Sequence, residues 1–547
     1  MESSRTAADN RDLPPGTVLL FGANLEHDAS QINLEPKPTR DPNDPLNWSK
    51  WRKWANLTLT LAVTATIFTA ISIQTVFWQL MVAELDITYA QLVNSYALNL
   101  CGSSLGCIFF IPLAIKYGRR PVYVVSTGAM LALTIWSAKI NTAGDVYATN
   151  LLLGLAGAPN ETIVQMTVAD LFFVHQRGTV NGLYMAMVMI GSFLSPTAAG
   201  FMAMSYGWRF CYWICSAFMG AIFTLFILFY EETKYSPAIE AITPSEILDL
   251  SNAVMSINKE KKEDTFQGEE APKVVQQEFH TSRISIDTSI PKNTRLQRLR
   301  FTTPTDENLW VLTYRPFTIL FSFPAVMYTA IQYAFAICWV SIIGNTTALV
   351  MPLPPYNFKP EGIGLMNLPA FIGCIIGAIY GGIFADWMIL PLAKKNGGYY
   401  EPEMRLQLLH VPSLAMPAGV LMFGLTIARG LNWIFPAIGG VLFGFGLGSI
   451  GDTALTLVID SYRDLTGEAF IGIAFVRNLP SIALVFAYTP WVEAQGLQNM
   501  YIVNSIICLF VCLLYIPLMI WGKRIRRRTA SKYGEFVARN GSVRPSG

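Results

Sequence analysis

From Ala55 to Gly522 the chain is a succession of apolar blocks, each as long as the ~20-residue helix that crosses a bilayer, separated by short polar turns. The blocks fall near 55–82, 92–115, 121–138, 147–171, 179–203 and 209–230, and again near 313–343, 363–391, 409–429, 433–459, 467–490 and 500–522. Hydrocarbon leaves the edges of open strands unsatisfied, so blocks of this length predict helices. The expected fold is an all-α membrane protein of twelve transmembrane helices in two six-helix halves. Polar stretches divide the chain into a cytoplasmic N-terminal segment (1–54), a first bundle (55–230), a cytoplasmic linker (231–312), a second bundle (313–522) and a basic cytoplasmic tail (523–547). Met1 to Arg40 is polar and expected to be disordered, apart from a short apolar patch at Val18–Phe21. Trp48, Trp51 and Trp54, interleaved with Lys50, Arg52 and Lys53, predict an interfacial helix.

Composition agrees with the pattern. Of 547 residues 52% are hydrophobic and 14% charged, whereas a soluble domain carries about 25% charge. The net charge of +2 matters less than where the cations lie. Lys116, Arg119, Arg120, Arg177, Lys394, Lys395, Arg405 and Arg463 fall on one side of the predicted bundle with the tail Lys523–Arg528, while the other side has little beyond Lys139, Lys359 and Arg429. That asymmetry predicts both termini in the cytoplasm. The tail directly follows an apolar block, which points to an anchor on anionic lipid and not to nucleic acid. The eight cysteines read as core residues, and the four scattered histidines have no metal-ligand spacing. Gly439–Gly448 has no following lysine, so it is no phosphate loop, and no nucleophile and base stand together; neither nucleotide hydrolysis nor an enzyme is expected.

Polar residues inside the blocks carry the candidate chemistry, because each is costly in lipid unless paired, protonated or facing water. Glu161 lies near the middle of the fourth block beside Pro159 and Asn160, with Gln165 four residues on and on the same helical face. Binding a cation, exchanging a proton and satisfying an interhelical bond are all open to it. Arg477 and Asn478 interrupt the eleventh block and Asp452 the tenth. The two opposite charges suit a static pair, a pair that breaks during transport, or recognition of a substrate carboxylate. Gln74, Thr75, Trp78, Asn94, Asn99, Tyr328, Gln332 and Tyr333 are candidates either for a cavity wall or for bridges between helices.

Gly118-Arg119-Arg120, after Lys116, predicts a tight inner turn whose guanidiniums gate that face or simply fix topology. Asp170 closes the fourth block and is followed by His175-Gln-Arg177-Gly178; Asp460 closes the tenth and is followed by Arg463-Asp-Leu-Thr-Gly467, as a six-plus-six repeat would require. His175 is placed for capping or gating. Gly191, Pro196 and Gly200 permit close approach and a bend in the fifth block. Asn345-Thr-Thr is a glycosylation sequon in a predicted outer loop, whereas Asn540-Gly-Ser falls in the tail.

Several pieces occur together in one known family: Asp41-Pro-Asn-Asp-Pro-Leu-Asn-Trp48, Lys116-Tyr-Gly-Arg-Arg-Pro121, Ala169-Asp-Leu-Phe-Phe-Val-His-Gln-Arg-Gly178, Gly191-Ser-Phe-Leu-Ser-Pro-Thr-Ala-Ala-Gly200, Glu231-Glu-Thr-Lys-Tyr235 and Pro402-Glu-Met-Arg-Leu406. As a set, over roughly 41–530, they make the chain resemble a major facilitator superfamily transporter of the fungal drug:proton antiporter type, including the branch with polyamine and histidinol transporters. The family's inner loop reads Gly-x-x-x-Asp-Arg-x-Gly-Arg-Arg; here Ile111 replaces the first glycine and Ile115 the aspartate, which weakens the usual charge lock. The second half keeps Gly382-Ile-Phe-Ala-Asp386, which shifts weight to Asp386. The resemblance implies alternating access driven by a proton gradient with no cofactor, a 191–200 motif that seals the halves and leans toward export, and a cavity lined by spans one, four, seven and ten. That raises Gln74, Glu161, Tyr328 and Asp452 above the other candidates. The expected function is proton-coupled export of small amphipathic or cationic organic compounds across the plasma membrane. Uptake of polyamines or related amines is the rival, and a nontransporting nutrient sensor a remoter one. Expected partners are the substrate, protons and lipid, with a monomer as the expected assembly.

Overall fold

Helices here end where a proline withholds a donor or a residue must take a positive φ. The computed structural model describes residues 14–19, 41–234, 291–303, 308–462 and 465–541; within them the side chains of 18, 19, 161, 162, 174, 175, 178, 295, 296, 386 and 539–541 lie outside the description. Helix α1 (Lys50–Ser72) passes through Ile73 into α2 (Gln74–Leu85), which stops at Asp86 with φ 53°. A capping box between Thr88 and Gln91 opens α3 (Tyr89–Tyr117). Gly118, at φ 111°, turns the chain at once into α4 (Arg119–Ala138).

A second capping box, Thr142 with Asp145, opens α5 (Ala143–Gly157), and the helix breaks at Ala158 because Pro159 has no N–H to donate; α6 (Pro159–Leu171) follows. Helix α7 (Val174–Met189) widens into a π-turn at Ile190–Leu194 before α8 (Ser195–Tyr206). The wider turn absorbs the bond that Pro196 cannot make. Gly207 leads into α9 (Trp208–Phe229).

After the short turn α10 (Arg295–Arg298) come α11 (Leu309–Ser322) and α12 (Pro324–Val350), then α13 (Pro360–Leu365), α14 (Leu368–Ile379), a second π-turn at Tyr380–Phe384 and α15 (Ala385–Lys395). A 3₁₀ segment, Pro402–His410, precedes α16 (Pro412–Ala428), α17 (Ile434–Ser461), α18 (Thr466–Val476), α19 (Leu479–Cys512), which bends at Gly496, and α20 (Tyr515–Gly541). One strand pair occurs among the described residues: β1 (Val18–Leu19) runs antiparallel to β2 (Tyr399–Tyr400). Pro14–Leu19 is therefore placed against the body of the protein, which corrects part of the expectation of disorder up to Arg40.

Among the described residues, ten helical stretches are long and apolar enough to cross a membrane, including Lys50–Leu85 and Thr466–Ala538. Phe218, Ile383 and Phe510 are exposed on their outer faces, an apolar surface that suits acyl chains and not water. The helices before residue 235 and those after residue 290 form an N-terminal and a C-terminal set that meet at two levels. At the end bearing Gly118, buried Cys107, Ile111, Ala158 and Met166 of the first set pack on Ile471 and Phe475 of the second. At the opposite end α8 lies on α13 so closely that a Cβ on Gly200 would stand 3.1 Å from Glu361 Cα, and one on Gly364 2.6 Å from Pro196 O.

The expected glycosylation at Asn345 is corrected by the fold. Helix α12 runs on to Val350, and Asn345 is wholly buried inside it, where no glycan can be attached.

Candidate functional site

A chamber of about 560 Å³ lies between the two sets. Its wall is largely aromatic and aliphatic, with Phe68, Tyr96 and Phe193 from the first set facing Phe371, Phe443 and Phe470 from the second. Polar residues in the wall include Asn99, Gln165, Gln332, Tyr333, Asp452, Arg477 and Asn478.

Asp452 stands where α17 passes the second π-turn. A Cβ on Gly381 would come within 3.3 Å of its Oδ2, and one on Gly382 within 3.5 Å, so the two glycines leave room for the carboxylate. Arg477 and Asn478 occupy the break between α18 and α19, where Pro480 cannot continue the backbone ladder. The Tyr333 hydroxyl donates to Gly451 O at 3.1 Å and lies within electrostatic reach of both Asp452 and Arg477. Helices α12, α17 and the α18–α19 break thus bring an acid, a base and a phenol to one side of the chamber. Gln332 is in the wall, but its Nε2 donates to Val511 O at 2.7 Å and ties α12 to α19.

Gln74, Trp78 and Tyr328 lie elsewhere. They are 4%, 1% and 5% exposed, packed within the helices, and the wall takes Thr75 and Tyr333 instead. Adjacent helix positions differ by about 100° of rotation, which separates Gln74 from Thr75. Glu161 belongs to α6, one turn before Gln165; its side chain, with those of His175 and Asp386, lies outside the described residues. Tyr96 and Asn367 also join the wall and carry no mark in the sequence, since either type in an apolar block serves equally to bridge helices.

At the Gly118 end Arg119, Arg120, Arg177 and Arg405 are each tied to a carboxylate or to backbone carbonyls. Arg119 Nε donates to Asp170 Oδ2 at 3.0 Å and its Nη1 to Ala114 O, while Arg120 donates to Leu299 O and Ile227 O. Arg177 caps the end of α6 through Phe172 O and Ala169 O. The carbonyl of Lys116 accepts from Lys234 Nζ at 2.7 Å. The C-terminal set repeats the device: Arg405 Nε donates to Asp460 Oδ2, also at 3.0 Å, and Tyr400 Oη donates to the same oxygen at 2.5 Å. Gly191 of the fifth predicted block lies on α1, where a Cβ would stand 2.7 Å from Phe68 Cβ.

Glu232 holds the α3–α4 turn. Its carboxylate accepts from the backbone N–H groups of Arg119 (2.9 Å), Arg120 (3.1 Å) and Lys234 (2.9 Å), and so caps α4 with a negative charge at the positive end of the helix. Burial pushes this carboxyl above its ordinary value, and the three backbone donors only partly offset that. The folded chain therefore holds this proton to higher pH than the unfolded chain does. The ionised form costs stability at neutral pH, and the cost fades as pH falls through the window just above the ordinary glutamate value. Melting of the wild type relative to Glu232→Gln in detergent should accordingly shift in favour of the wild type between about pH 7.5 and about pH 5. A difference that stays constant over that range would contradict the assignment.

Comparison with known proteins bears on what the chamber is for. The profile of the Major Facilitator Superfamily matches residues 59–485. An uncharacterized MFS-type transporter of Schizosaccharomyces pombe is 30% identical, over 96% of this chain and 94% of its own length. Protein HOL1 of Saccharomyces cerevisiae is 27% identical over 97% of this chain and 98% of its own, and the MFS-type transporter atr4 of Stereocaulon alpinum 26% identical over 93% and 86%. A match that covers most of the helical bundle and both walls of the chamber means that this chain belongs to the major facilitator superfamily and is a membrane transport protein, not an enzyme.

Proposed function

We propose that the protein is a proton-coupled transporter that exports small amphipathic organic cations by alternating access. The observation that carries this reading is the chamber itself, an aromatic-walled cavity between two helix sets with the carboxylate of Asp452 in its wall. Aromatic faces and a desolvated acid attract an organic cation together, and the same acid can take a proton when the cation leaves. Glu161, one turn before Gln165, is the proposed second carboxylate. Two sets in contact above and below a site between them are what rocking between two openings needs. The Gly118 face is read as cytoplasmic from its cations, with both termini on that side and the plasma membrane as the proposed location.

Twelve crossings are proposed from the ten long stretches. The broken pair α5 and α6 supplies one more, and the 73-residue stretch Thr466–Ala538, bent at Gly496, counts as two. Asp386, Gly191, Pro196 and Gly200 remain proposed gate and interface positions.

The test is transport into and out of vesicles with an imposed pH gradient, with spermidine, histidinol and a lipophilic organic cation as probes. Movement of a cation against the proton gradient, lost when the gradient is collapsed, is the expected result. Accumulation in the same direction as protons would assign uptake of amines instead. Flux unaffected by the gradient would remove proton coupling.

A further inference from the structure

The apolar patch that begins at Val18 is the one break in a polar N-terminal segment, and moving a solute across a membrane does not require it. In the folded chain Pro14–Leu19 lies on the Gly118 face of the C-terminal set, where three elements receive it. Strand β1 adds to β2, with Val18 opposite Tyr400 and Leu19 opposite Tyr399. Gly16, at φ 83°, sits so close to the last turn of α17 that a Cβ would collide with Asp460 O and stand 2.9 Å from Ser461 Cα. Arg526 of α20 donates Nη1 to Pro15 O and, at 3.2 Å, to Thr17 Oγ1. The rest of that guanidinium grips Glu403, Nε at 2.7 Å and Nη2 at 2.6 Å, so the arginine is fixed before the segment arrives.

We propose that Pro14–Leu19 is an intramolecular strap, bound by strand addition to a docking surface made of β2, the end of α17 and Arg526, and that its binding favours the closed state of the apolar seal at this face. The path from strap to seal is short. Asp460 and Ser461 end α17, and Thr466 already begins α18, which carries Ile471 and Phe475 onto Cys107 and Ile111. The strap grips the backbone of that last α17 turn while it also grips β2 and α20. Any shift of the turn relative to those two elements therefore breaks its contacts. A segment that binds one arrangement and not the other shifts the population toward the one it binds.

The link to the first set is 21 residues long. Residues 20–40 can span about 70 Å when extended. That reach is long enough for the strap to leave its docking surface without displacing Asp41 and the helices beyond it. The proposal goes beyond transport and holds for any transported compound.

Two measurements on the full chain test it. Leu19→Cys with Tyr399→Cys, in a chain given a protease site within residues 235–290, should keep its two fragments joined after oxidation and release them on reduction. Fragments that separate after oxidation would overturn the docking. Gly16→Val, and separately deletion of residues 2–19, should raise maleimide labelling of the buried Cys107 about tenfold, read at that residue by mass spectrometry with the other cysteines natural. Melting like that of the wild type would show that the rise comes from the seal and not from general unfolding. Unchanged labelling of Cys107 in both variants would overturn the link between strap and seal, even with the cross-link formed.

Discussion

Asp452→Asn should lower transport of an organic cation by about 100-fold while leaving the protein folded in the membrane. The carboxylate lines the chamber with Tyr333 and Arg477 about it and two glycines making its room, so asparagine fits the same space. What is lost is charge. At an effective dielectric of about 20, a pair of unit charges about 4 Å apart attracts by about 4 kcal/mol. Part of that only offsets desolvation of the cation, and a residual of about 2.7 kcal/mol corresponds to the stated 100-fold. Arg477 supplies the control. If it serves chiefly to balance Asp452, reversing both charges together should restore part of the transport that either single reversal removes. If it recognises an anionic group on the solute, the double reversal recovers nothing. Wild-type flux in Asp452→Asn across a range of pH would end the claim that this acid handles the solute or its counter-ion.

The helices were legible because lipid demands long uninterrupted apolar runs, and the polar interruptions at Pro159, Asp452 and Arg477 mark real breaks or wall positions. Facing was not legible. An amphipathic stripe shows which side of a helix faces water, but a helix between lipid, neighbours and a mostly apolar chamber has no such stripe. Gln74 and Trp78 therefore look as suited to the wall as Thr75 does, and only packing decides. Asn345-Thr-Thr misleads in another way. Its polarity suggests a loop, yet Thr346 and Thr347 return their hydroxyls to Ile342 O and Ile343 O, one turn back, at 2.9 and 2.8 Å. The two threonine hydroxyls are thus satisfied inside α12 itself, and the Asn345 amide is buried with them. The seal at the Gly118 face illustrates the reverse: the replacement of the family's glycine and aspartate by Ile111 and Ile115 looks like a loss in sequence. In space Ile111 is buried against Ile471 and Phe475, with Ile115 packed beside them, so apolar contact stands where the family's pattern would place a charge lock. The strap could not be foreseen, because two-residue strands have no period and the partner lies hundreds of residues away.

Gly154→Ala and Gly444→Ala should each lower stability by about 3 kcal/mol, although a single methyl group is all that is added. Both glycines sit where two helix backbones touch. On α5 a Cβ at Gly154 would collide with Asn99 O and stand 2.9 Å from Ser103 N of α3; on α17 a Cβ at Gly444 would collide with Ala370 O and stand 3.0 Å from Cys374 N of α14. Backbone cannot swing aside as a side-chain tip can, so the helices must separate. The interhelical bonds that depend on the close approach then go with the packing, among them Asn99 Nδ2 to Asn150 O at 3.0 Å, Ser103 Oγ to Gly154 O at 3.3 Å and Ser449 Oγ to Gly377 O at 3.1 Å. The same kind of contact in each set, between α3 and α5 and between α14 and α17, fits the repeat suggested by Asp170 and Asp460. Gly344 gives the contrast. It too lies inside a helix, α12, but a Cβ there meets nothing within 4 Å. Alanine at that position should therefore raise stability by up to about 1 kcal/mol through helix propensity alone. Thermal unfolding in detergent, with monodispersity followed by gel filtration, separates the two signs. Should Gly154→Ala and Gly444→Ala melt with Gly344→Ala, the backbones of these helix pairs do not meet as described, and the chamber they enclose loses its walls.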